Sequence, residues 1–482
     1  MDKKNKKDNE IRIKVGISCF FILFISYAYF LQTYKNPNVV TRMGLTLSLI
    51  ENGSIKINQY QRATIDKAYH KGNYYSDKAP GLSFTAIPFA AIADAVLRFK
   101  NTSISLVESG KVSRAFGVIV HFSTIFTSGL STAIAALVLY FIALRIGASI
   151  TGAVFAMLCF GLATPAWGWA TAFFGHATAS SCLFLGFAII FHLRHSPADA
   201  RRDACFGFLA GALLSWAVVV EFTSAISAAM IGIYALMTGI HWDRSRQIRG
   251  LLAAATGIII FISPLLAYNS IAFGSPFVIG YEHVVGFEGM KQGFFGITLP
   301  NLSILLQILF SQYRGILWIS PILMLTPVGI YYLWRLENYR AELLTIIMLS
   351  AYYLLFNSAY HFWDGGYSTG PRHVTPMLAF LCLPLAVFWT SSSLKWRIPA
   401  LGILVLSICT SLICVSVSMM SPDTFQKPLF EYLIPEFIKG NLQTIFTYIG
   451  IKALVTLVPI FIVWIVGGIY IAWLLRGSKP GP

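Results

Sequence analysis

Long apolar runs follow one another along most of this chain, separated by short polar connections. A run of about 20 apolar residues is long enough to cross a bilayer as a helix. The candidate spans are 15–33, 115–143, 150–168, 177–193, 204–220, 222–240, 250–272, 315–334, 342–358, 374–391, 398–418 and 451–475. The pattern therefore predicts an all-α polytopic membrane protein, with about 12 transmembrane helices in a single transmembrane domain over residues 1–482.

One apolar run, 82–97, is shorter and contains Pro88 and Asp94. Lys and Arg residues cluster in short connections such as 1–14 and 194–202, and such clusters mark the cytoplasmic side of a membrane. These connections share one side only if 82–97 does not cross. We therefore expect 82–97 to be an interfacial or re-entrant helix on the outer face, with both termini cytoplasmic.

The long connections then lie on the opposite, outer side. They are 34–114, 273–314, 359–373 and 419–450. Within the first of them, Val40, Met43, Leu47 and Ile50 share one helical face. This spacing predicts an amphipathic helix over 40–51 that lies on the outer leaflet.

The composition agrees with a membrane protein. Hydrophobic residues make up 56% of the chain, charged residues 12%, and the net charge is +16. Because most charges flank spans, membrane topology and anionic lipids explain them better than nucleic acid does. The chain has no P-loop, Rossmann fingerprint, HExxH or GxSxG motif, so we expect a lipid carrier as donor rather than a soluble nucleotide.

No cofactor or metal site is indicated by the sequence. The seven cysteines lie in apolar stretches without metal-ligand spacing, which favours buried, inert thiols. Binding of a divalent cation by an acidic pair in the first outer loop stays an alternative.

The first outer loop concentrates charged and aromatic residues. Asp66 and Asp77 are candidates to take a proton from an acceptor hydroxyl, with Asp66 first. Lys78 is a candidate to neutralise a leaving phosphate, and Tyr75 to bind substrate. The alternative is a solvated loop with incidental ion pairs such as Asp77–Lys78.

A glycine-rich segment, 361–373, is the second candidate. Its glycines allow the backbone to approach a ligand. Arg372 suits a phosphate, and Trp363, Asp364 and His373 suit a sugar. The alternative is an ordinary turn in which Arg372 extends toward lipid head groups.

Weaker candidates are scattered over the outer side. His176 follows an aromatic run, and such a histidine is more often structural. Glu221 lies between two apolar runs, where a functional role and a buried hydrogen bond are equally expected. Further candidates to line a pocket are Glu282, His283 and, for the donor phosphate, Arg314.

Several of these motifs resemble a known family. The pattern Asn38, Thr41-Arg42, Gly53, Asp66-Lys67-Ala68, Gly72 and Tyr74 to Gly81 resembles bacterial membrane glycosyltransferases of the family 39 type, within the GT-C superfamily. Trp363 to Gly366, Gly370 to His373, Tyr268-Asn269 and Phe273 to Phe277 resemble later motifs of that group.

The resemblance implies a GT-C fold, a bacterial inner membrane with the long outer loops in the periplasm, and a periplasmic transfer from an undecaprenyl-phosphate-linked sugar. Relatives transfer aminoarabinose to lipid A or mannosylate proteins. It places Lys78 near the donor phosphate and adds Arg42 as a substrate-binding residue. We expect a glycosyltransferase that moves a sugar from a polyprenyl-phosphate carrier to a lipid or cell-envelope glycan acceptor.

The chain departs from that family at one point. An acidic residue usually precedes the Thr-Arg pair, whereas Val39 and Val40 stand here. Either Asp66 or Asp77 serves as the base, or the protein is a non-catalytic relative. A transporter or lipid flippase is the other alternative.

Overall fold

The computed structural model describes residues 3–100 and 105–476. The first part of the chain forms α1 (Lys3–Tyr29), α2 (Pro37–Asn52), β1 (Ala68–His70), β2 (Asn73–Tyr75), α3 (Gly81–Lys100), β3 (Val107–Glu108), β4 (Lys111–Val112), α4 (Arg114–Thr124), α5 (Leu130–Arg145), α6 (Ile150–Leu162) and α7 (Ala166–Ala170). A π-helical turn joins α4 to α5, and the strands form two antiparallel hairpins, β1–β2 and β3–β4.

The regular elements in the rest of the described chain are helices joined by loops. It forms α8 (Gly175–Arg194), α9 (Ala200–Val220), α10 (Ser224–Gly239), α11 (Arg244–Phe273), α12 (Leu302–Phe310), α13 (Ile316–Ile319), α14 (Thr326–Trp334), α15 (Arg340–Ala359), α16 (Leu378–Ser391), α17 (Leu394–Val417), α18 (Ile434–Ile438) and α19 (Val458–Arg476). Short 3₁₀ turns precede several of them, including Arg372–Met377 before α16. The all-α polytopic fold predicted from the sequence is confirmed.

The first and second crossings run antiparallel. The Tyr140 hydroxyl at the end of α5 donates to the carbonyl of Arg12, 2.9 Å away, near the start of α1. At the other end, Tyr34 covers Gly117 of α4 so closely that a Cβ there would lie 2.6 Å from the ring. The connection from α1 to α4 therefore starts and ends on one face, called here the outer face. Helix α3 lies within that connection, which as a whole makes no net crossing, and this agrees with the expectation for 82–97.

The same geometry gives the number of crossings. Across residues 3–100 and 105–476, ten helices are long and apolar enough to cross a membrane, and α3 is one of them. The other nine combine with three shorter apolar helices, Ile150–Leu162, Ser224–Gly239 and Pro321–Trp334. By length and composition these are twelve apolar helices, the number of crossings predicted from the sequence.

Helix α19 packs antiparallel to α1. The indole N–H of Trp464 donates to the Ser26 hydroxyl, 2.9 Å away, and Gly467 lies against Ile22. The end of α19 therefore lies on the face where α1 begins, opposite the outer face. The described ends of the chain share this inner face.

Central and peripheral helices differ in burial. In α8 and in the segment Arg372–Ser391, 78% of the most apolar window is buried, against 11% in α11. The apolar residues that α11 leaves uncovered suit contact with lipid, because a spanning helix needs no polar face. The core therefore lies around α8 and α16, whose outer ends carry candidate site residues.

The helix predicted over 40–51 differs in its surroundings. Helix α2 begins at Pro37, where the Asn36 side chain accepts from the amide of Asn38, and it ends at Gly53 in the left-handed conformation. All residues from Asn38 to Ser48 are buried. The predicted helix is present, but α3 and the following loop also cover its polar side: the Thr46 hydroxyl donates to the carbonyl of Ser83 in α3, and Gly44 lies against the ring of Tyr60.

Candidate active site

A short loop, 76–81, is held between two backbone segments at the outer face. It follows the β1–β2 hairpin and leads into α3. A Cβ on Gly81 would lie 2.5 Å from the carbonyl carbon of Val219, and one on Gly280 would lie 2.9 Å from the Cα of Asp77. Glycine at both positions allows this close approach. The loop is therefore fixed against the end of α9.

Lys78 bridges two carboxylates in this loop. Its ammonium lies 2.8 Å from Oδ2 of Asp77 and 3.3 Å from Oδ2 of Asp66. Burial raises the pKa of Asp77, and Asp66 adds to the rise while Lys78 opposes it. Burial lowers the pKa of Lys78, but Asp66 and Asp77 outweigh this effect and hold it above its ordinary value. Lys78 therefore stays cationic near neutral pH.

Arg42 forms a second charged pair beside this loop. Its side chain is 2% exposed, and it donates to Oε1 of Glu221 at 2.6 Å. It also donates to the Asn38 side chain at 2.9 Å and to the carbonyl of Ala79 at 3.1 Å. The pair joins α2, the 76–81 loop and the end of α9.

The carboxylate beside Arg42 comes from a distant part of the chain. Val39 and Val40 are 1% and 0% exposed, so α2 brings no acid to this point. Glu221 is 179 positions away in sequence. The only sequence signal for Glu221 was an ionisable residue between two apolar runs, and its partner is visible only in the fold.

Arg372 is a cation without a protein partner. Its guanidinium lies over the ring of Phe174, 5.5 Å from the centroid, and beside Gly365. In the described ranges its side chain makes no hydrogen bond or ion pair, and Nε is buried without a partner. Asp66 and Glu221 are close enough for their charges to act on it. Arg372 is thus an open anion-binding group beside the Lys78 cluster.

Two histidines adjoin these charges. The rings of His176 and His373 meet edge to face, with centroids 5.5 Å apart. Nδ1 of His176 lies 3.9 Å from Oε1 of Glu221, and the charges of Arg372 and Lys78 act on it. A Cβ on Gly175 would collide with Oε1 of Glu221. The start of α8 therefore brings His176 and Glu221 together.

Arg314 uses its donors on the glycine-rich turn. It is fully buried, with Nε donating to the carbonyl of Asp364 at 2.9 Å and an Nη to that of Gly366 at 2.8 Å. Burial lowers its pKa. The Tyr313 hydroxyl donates to Oδ2 of Asp364 at 3.2 Å, and the Tyr313 ring meets Trp363 edge to face. These residues shape the turn before Arg372.

A further group packs beside the site. The ring of Tyr75 meets Phe273 edge to face at 5.6 Å, and His283 stacks on Phe273 at 5.2 Å. Glu282 is exposed. Within residues 3–100 and 105–476, no hydrogen bond or ion pair joins Tyr75, Glu282 or His283 to Lys78. These three predicted residues lie at the edge of the cluster.

Two tyrosines also join the site: Tyr281, which precedes the pocket-lining candidates Glu282 and His283, and Tyr360, which the sequence did not single out. The charges of Lys78 and Glu221 act on both hydroxyls. Burial raises the pKa of Tyr281 and of Tyr360, so both phenols stay protonated. The ring of Tyr360 also meets His373 edge to face at 5.2 Å. They add neutral hydrogen-bonding groups between the charges.

An apolar cavity of about 630 Å³ lies elsewhere in the outer half, and its lining contains none of the charged residues above. Phe310, Leu317, Trp318, Met324, Ile413 and Phe430 are among the residues that line it. Over the described residues, no cluster of three or more His, Cys, Asp or Glu side chains is arranged to hold a metal.

Comparison with known proteins shows the fold. No protein-family model and no curated protein matches the chain. Among solved structures, ArnT from Cupriavidus metallidurans bound to undecaprenyl phosphate is similar, with a TM-score of 0.53 and 13% identity over 88% of this chain and 69% of that chain. Apo ArnT from the same organism has a TM-score of 0.51 and 12% identity over 82% of this chain and 63% of that chain. ArnT is a GT-C protein, so the GT-C fold expected from the sequence is confirmed.

Proposed function

We propose that this protein transfers a sugar from a polyprenyl-phosphate carrier to a hydroxyl of a lipid or cell-envelope glycan on the periplasmic face. The observation that carries the proposal is Arg372, a largely buried cation that makes no ion pair in the described chain and lies, like Lys78, within reach of the charge of Asp66. A buried unpaired charge is costly unless a ligand completes it. A phosphate at the outer face of a membrane protein suits this position.

Lys78 and Arg372 take complementary roles on the donor phosphate. The C1–oxygen bond of the donor breaks and leaves its electron pair on the polyprenyl phosphate. Two positioned cations stabilise that negative charge as it develops, and this is often the largest contribution to catalysis. Arg372 binds two oxygens through its planar fork, while Lys78 acts as a point charge.

Asp66 is the proposed base for the acceptor hydroxyl, with Asp77 second. The Asp66 side chain is 12% exposed and that of Asp77 is 1% exposed, so an acceptor reaches Asp66 more easily. Both carboxylates contact Lys78. A donor phosphate that draws the lysine toward itself leaves Asp66 free to accept a hydrogen bond from the acceptor hydroxyl.

The fold and the apolar cavity support a lipid carrier. ArnT, which shares the fold, was solved with undecaprenyl phosphate bound. The cavity of about 630 Å³ is lined by aliphatic and aromatic side chains, as an isoprenoid chain requires. A transporter would place paired ionisable groups at mid-membrane. Here Lys78, Arg372 and their partners lie at the outer face, which favours chemistry at the surface.

Purified protein in nanodiscs, given a radiolabelled undecaprenyl-phosphate sugar and envelope lipids, tests the proposal. We expect release of undecaprenyl phosphate and labelled acceptor from the natural protein, and neither product from Lys78→Ala. The control is Lys56→Ala, an exposed lysine of the same outer loop, which should keep full activity. Transport of the labelled lipid across vesicles without transfer would indicate a flippase. Binding without either would indicate a non-catalytic relative.

A further inference from the structure

Glu221, at the end of α9, uses only one of its two carboxylate oxygens in an ion pair. Glu221 lies in the break between α9 and α10, with its side chain 10% exposed. Oε1 accepts from Arg42. Within the described chain, Oε2 accepts no hydrogen bond. It is also not among the fully buried polar atoms, so a ligand can reach it. One oxygen of Glu221 is therefore fixed, and the other is open to the site.

A carboxylate with a purely structural role looks different in this protein. Glu342, on the inner half of α15, is 0% exposed. Its Oε1 accepts from Arg194 and from the Tyr234 hydroxyl at 2.6 and 2.7 Å, and its Oε2 accepts from Arg194 at 2.6 Å. Both oxygens are used. Glu221 lacks this completeness, which indicates that a ligand supplies the missing donor.

The neighbours of Glu221 provide a second open group. Nδ1 of His176 lies 3.9 Å from Oε1 of Glu221. Nε2 of His176 makes no hydrogen bond in residues 3–100 and 105–476, and it is not fully buried. The Tyr281 phenol, which feels the charges of Lys78 and Glu221, is likewise open. A carboxylate, an imidazole and a phenol together match the alternating donors and acceptors of sugar hydroxyls.

These groups also lie where a sugar attached to the donor phosphate would be. Glu221 acts electrostatically on Arg372, and both Arg372 and Lys78 act on His176. A sugar linked through C1 to a phosphate bound by Lys78 and Arg372 would therefore lie against Glu221 and His176. Asp66 and Asp77, bound to Lys78, remain on the phosphate side.

We propose that Glu221 and His176 form the subsite for the transferred sugar, with Oε2 of Glu221 accepting from a hydroxyl or ammonium group of the ring. This inference rests on the proposed function. The fixed negative charge of Glu221 selects a sugar that offers hydrogen-bond donors at this position. It disfavours a sugar whose carboxylate would lie there, because like charges repel in a site of low dielectric.

The subsite is tested by comparing how much undecaprenyl phosphate, with and without an attached sugar, raises the unfolding temperature of the protein. The probes are undecaprenyl phosphate alone and its glucose, glucosamine and glucuronate conjugates. A ligand that binds the folded state raises the unfolding temperature. We expect glucose or glucosamine to stabilise the natural protein more than undecaprenyl phosphate alone, and glucuronate to add nothing. Equal shifts for all conjugates, or no increment from either of the first two, would overturn the subsite.

Variants of Glu221 and His176 then test whether these residues provide the additional affinity that the attached sugar contributes, called here the sugar increment. Glu221→Gln keeps an oxygen for Arg42 but removes the charge, and we expect it to lower the sugar-dependent gain in affinity about tenfold, as for a hydrogen bond to a charged group. Binding of undecaprenyl phosphate alone should not weaken, because Glu221→Gln removes a negative charge near the phosphate site. His176→Gln is the second variant and should weaken the same increment if Glu221→Gln fails to fold. An increment that survives in every folded variant refutes the assignment.

The two proposals fail in different ways. If undecaprenyl phosphate alone gives no stabilisation of the natural protein, the donor-phosphate site and the proposed function fail. If that lipid stabilises the protein but Glu221→Gln and His176→Gln leave the sugar increment intact, only the sugar subsite fails.

Discussion

Arg372→Gln separates function from stability more cleanly than any other change in the site. The guanidinium makes no hydrogen bond or ion pair within the described residues, so its removal leaves no carboxylate without its partner. Its guanidinium lies over the ring of Phe174, 5.5 Å from the centroid. The glutamine amide keeps hydrogen-bonding capacity but carries no charge.

The expected magnitudes differ for the two properties. Loss of a cation–π contact costs about 0.5–1 kcal/mol of stability at an exposed site and about 2 kcal/mol at a desolvated one. Loss of one positioned donor to a developing anion costs about 2.7–4 kcal/mol, or roughly a hundred- to a thousandfold in rate. We therefore expect transfer to fall by that factor, with a small change in unfolding temperature.

The assay measures initial rates of transfer from a labelled undecaprenyl-phosphate sugar and unfolding temperature in the same nanodiscs. Arg98→Gln is the matched control, because Arg98 is a partly exposed arginine of α3 paired with Asp94 and Glu51. It should change neither quantity appreciably. A folded Arg372→Gln variant with more than about a tenth of the natural rate would refute the role of Arg372 at the phosphate, given the loss expected for one donor.

Other changes have distinct expected outcomes. Lys78→Met should abolish transfer and lower the unfolding temperature, since it leaves two buried carboxylates uncompensated; adding Asp77→Asn should recover stability without activity in the same assays. Because the pKa of Lys78 is raised, its stabilising charge is fully present below the ordinary value of 10.5 and is lost only as pH rises through the higher folded value. Between about pH 7 and 9, deprotonation of Lys78 should therefore not lower the rate of transfer. A fall in rate over this range that disappears in Lys78→Arg would contradict this. Gly175→Ala should displace Glu221 and reduce the sugar increment in the thermal assay, whereas Gly232→Ala, with open space at the Cβ, should not.

The sequence predicted the membrane architecture because the relevant physics is local. Apolar length identifies a crossing, and the distribution of basic residues places 82–97 on one face. The antiparallel contacts Arg12–Tyr140 and Tyr34–Gly117 agree with that placement. Boundaries were less predictable where prolines break the helix, as at Pro321, where a predicted span, 315–334, divides into α13, a 3₁₀ turn and α14.

The site was only partly predictable because its contacts are not local. Motif spacing brought forward Lys78 and Arg372, and both lie in the cluster. It gave no means to see that Arg314 spends its donors on the turn, or that Glu221 approaches Arg42 from 179 positions away. Helical periodicity alone also missed the burial of α2, since a neighbouring loop covers its polar side.

The most direct test of the central claim is mass spectrometry of envelope glycolipids and glycans from cells with and without the gene. The account predicts that, without the gene, one sugar modification disappears and the corresponding polyprenyl-phosphate sugar accumulates. The natural gene should restore both, and the Arg372→Gln variant should restore neither. An unchanged profile of modified acceptors and lipid-linked sugars would contradict a glycosyl transfer by this protein.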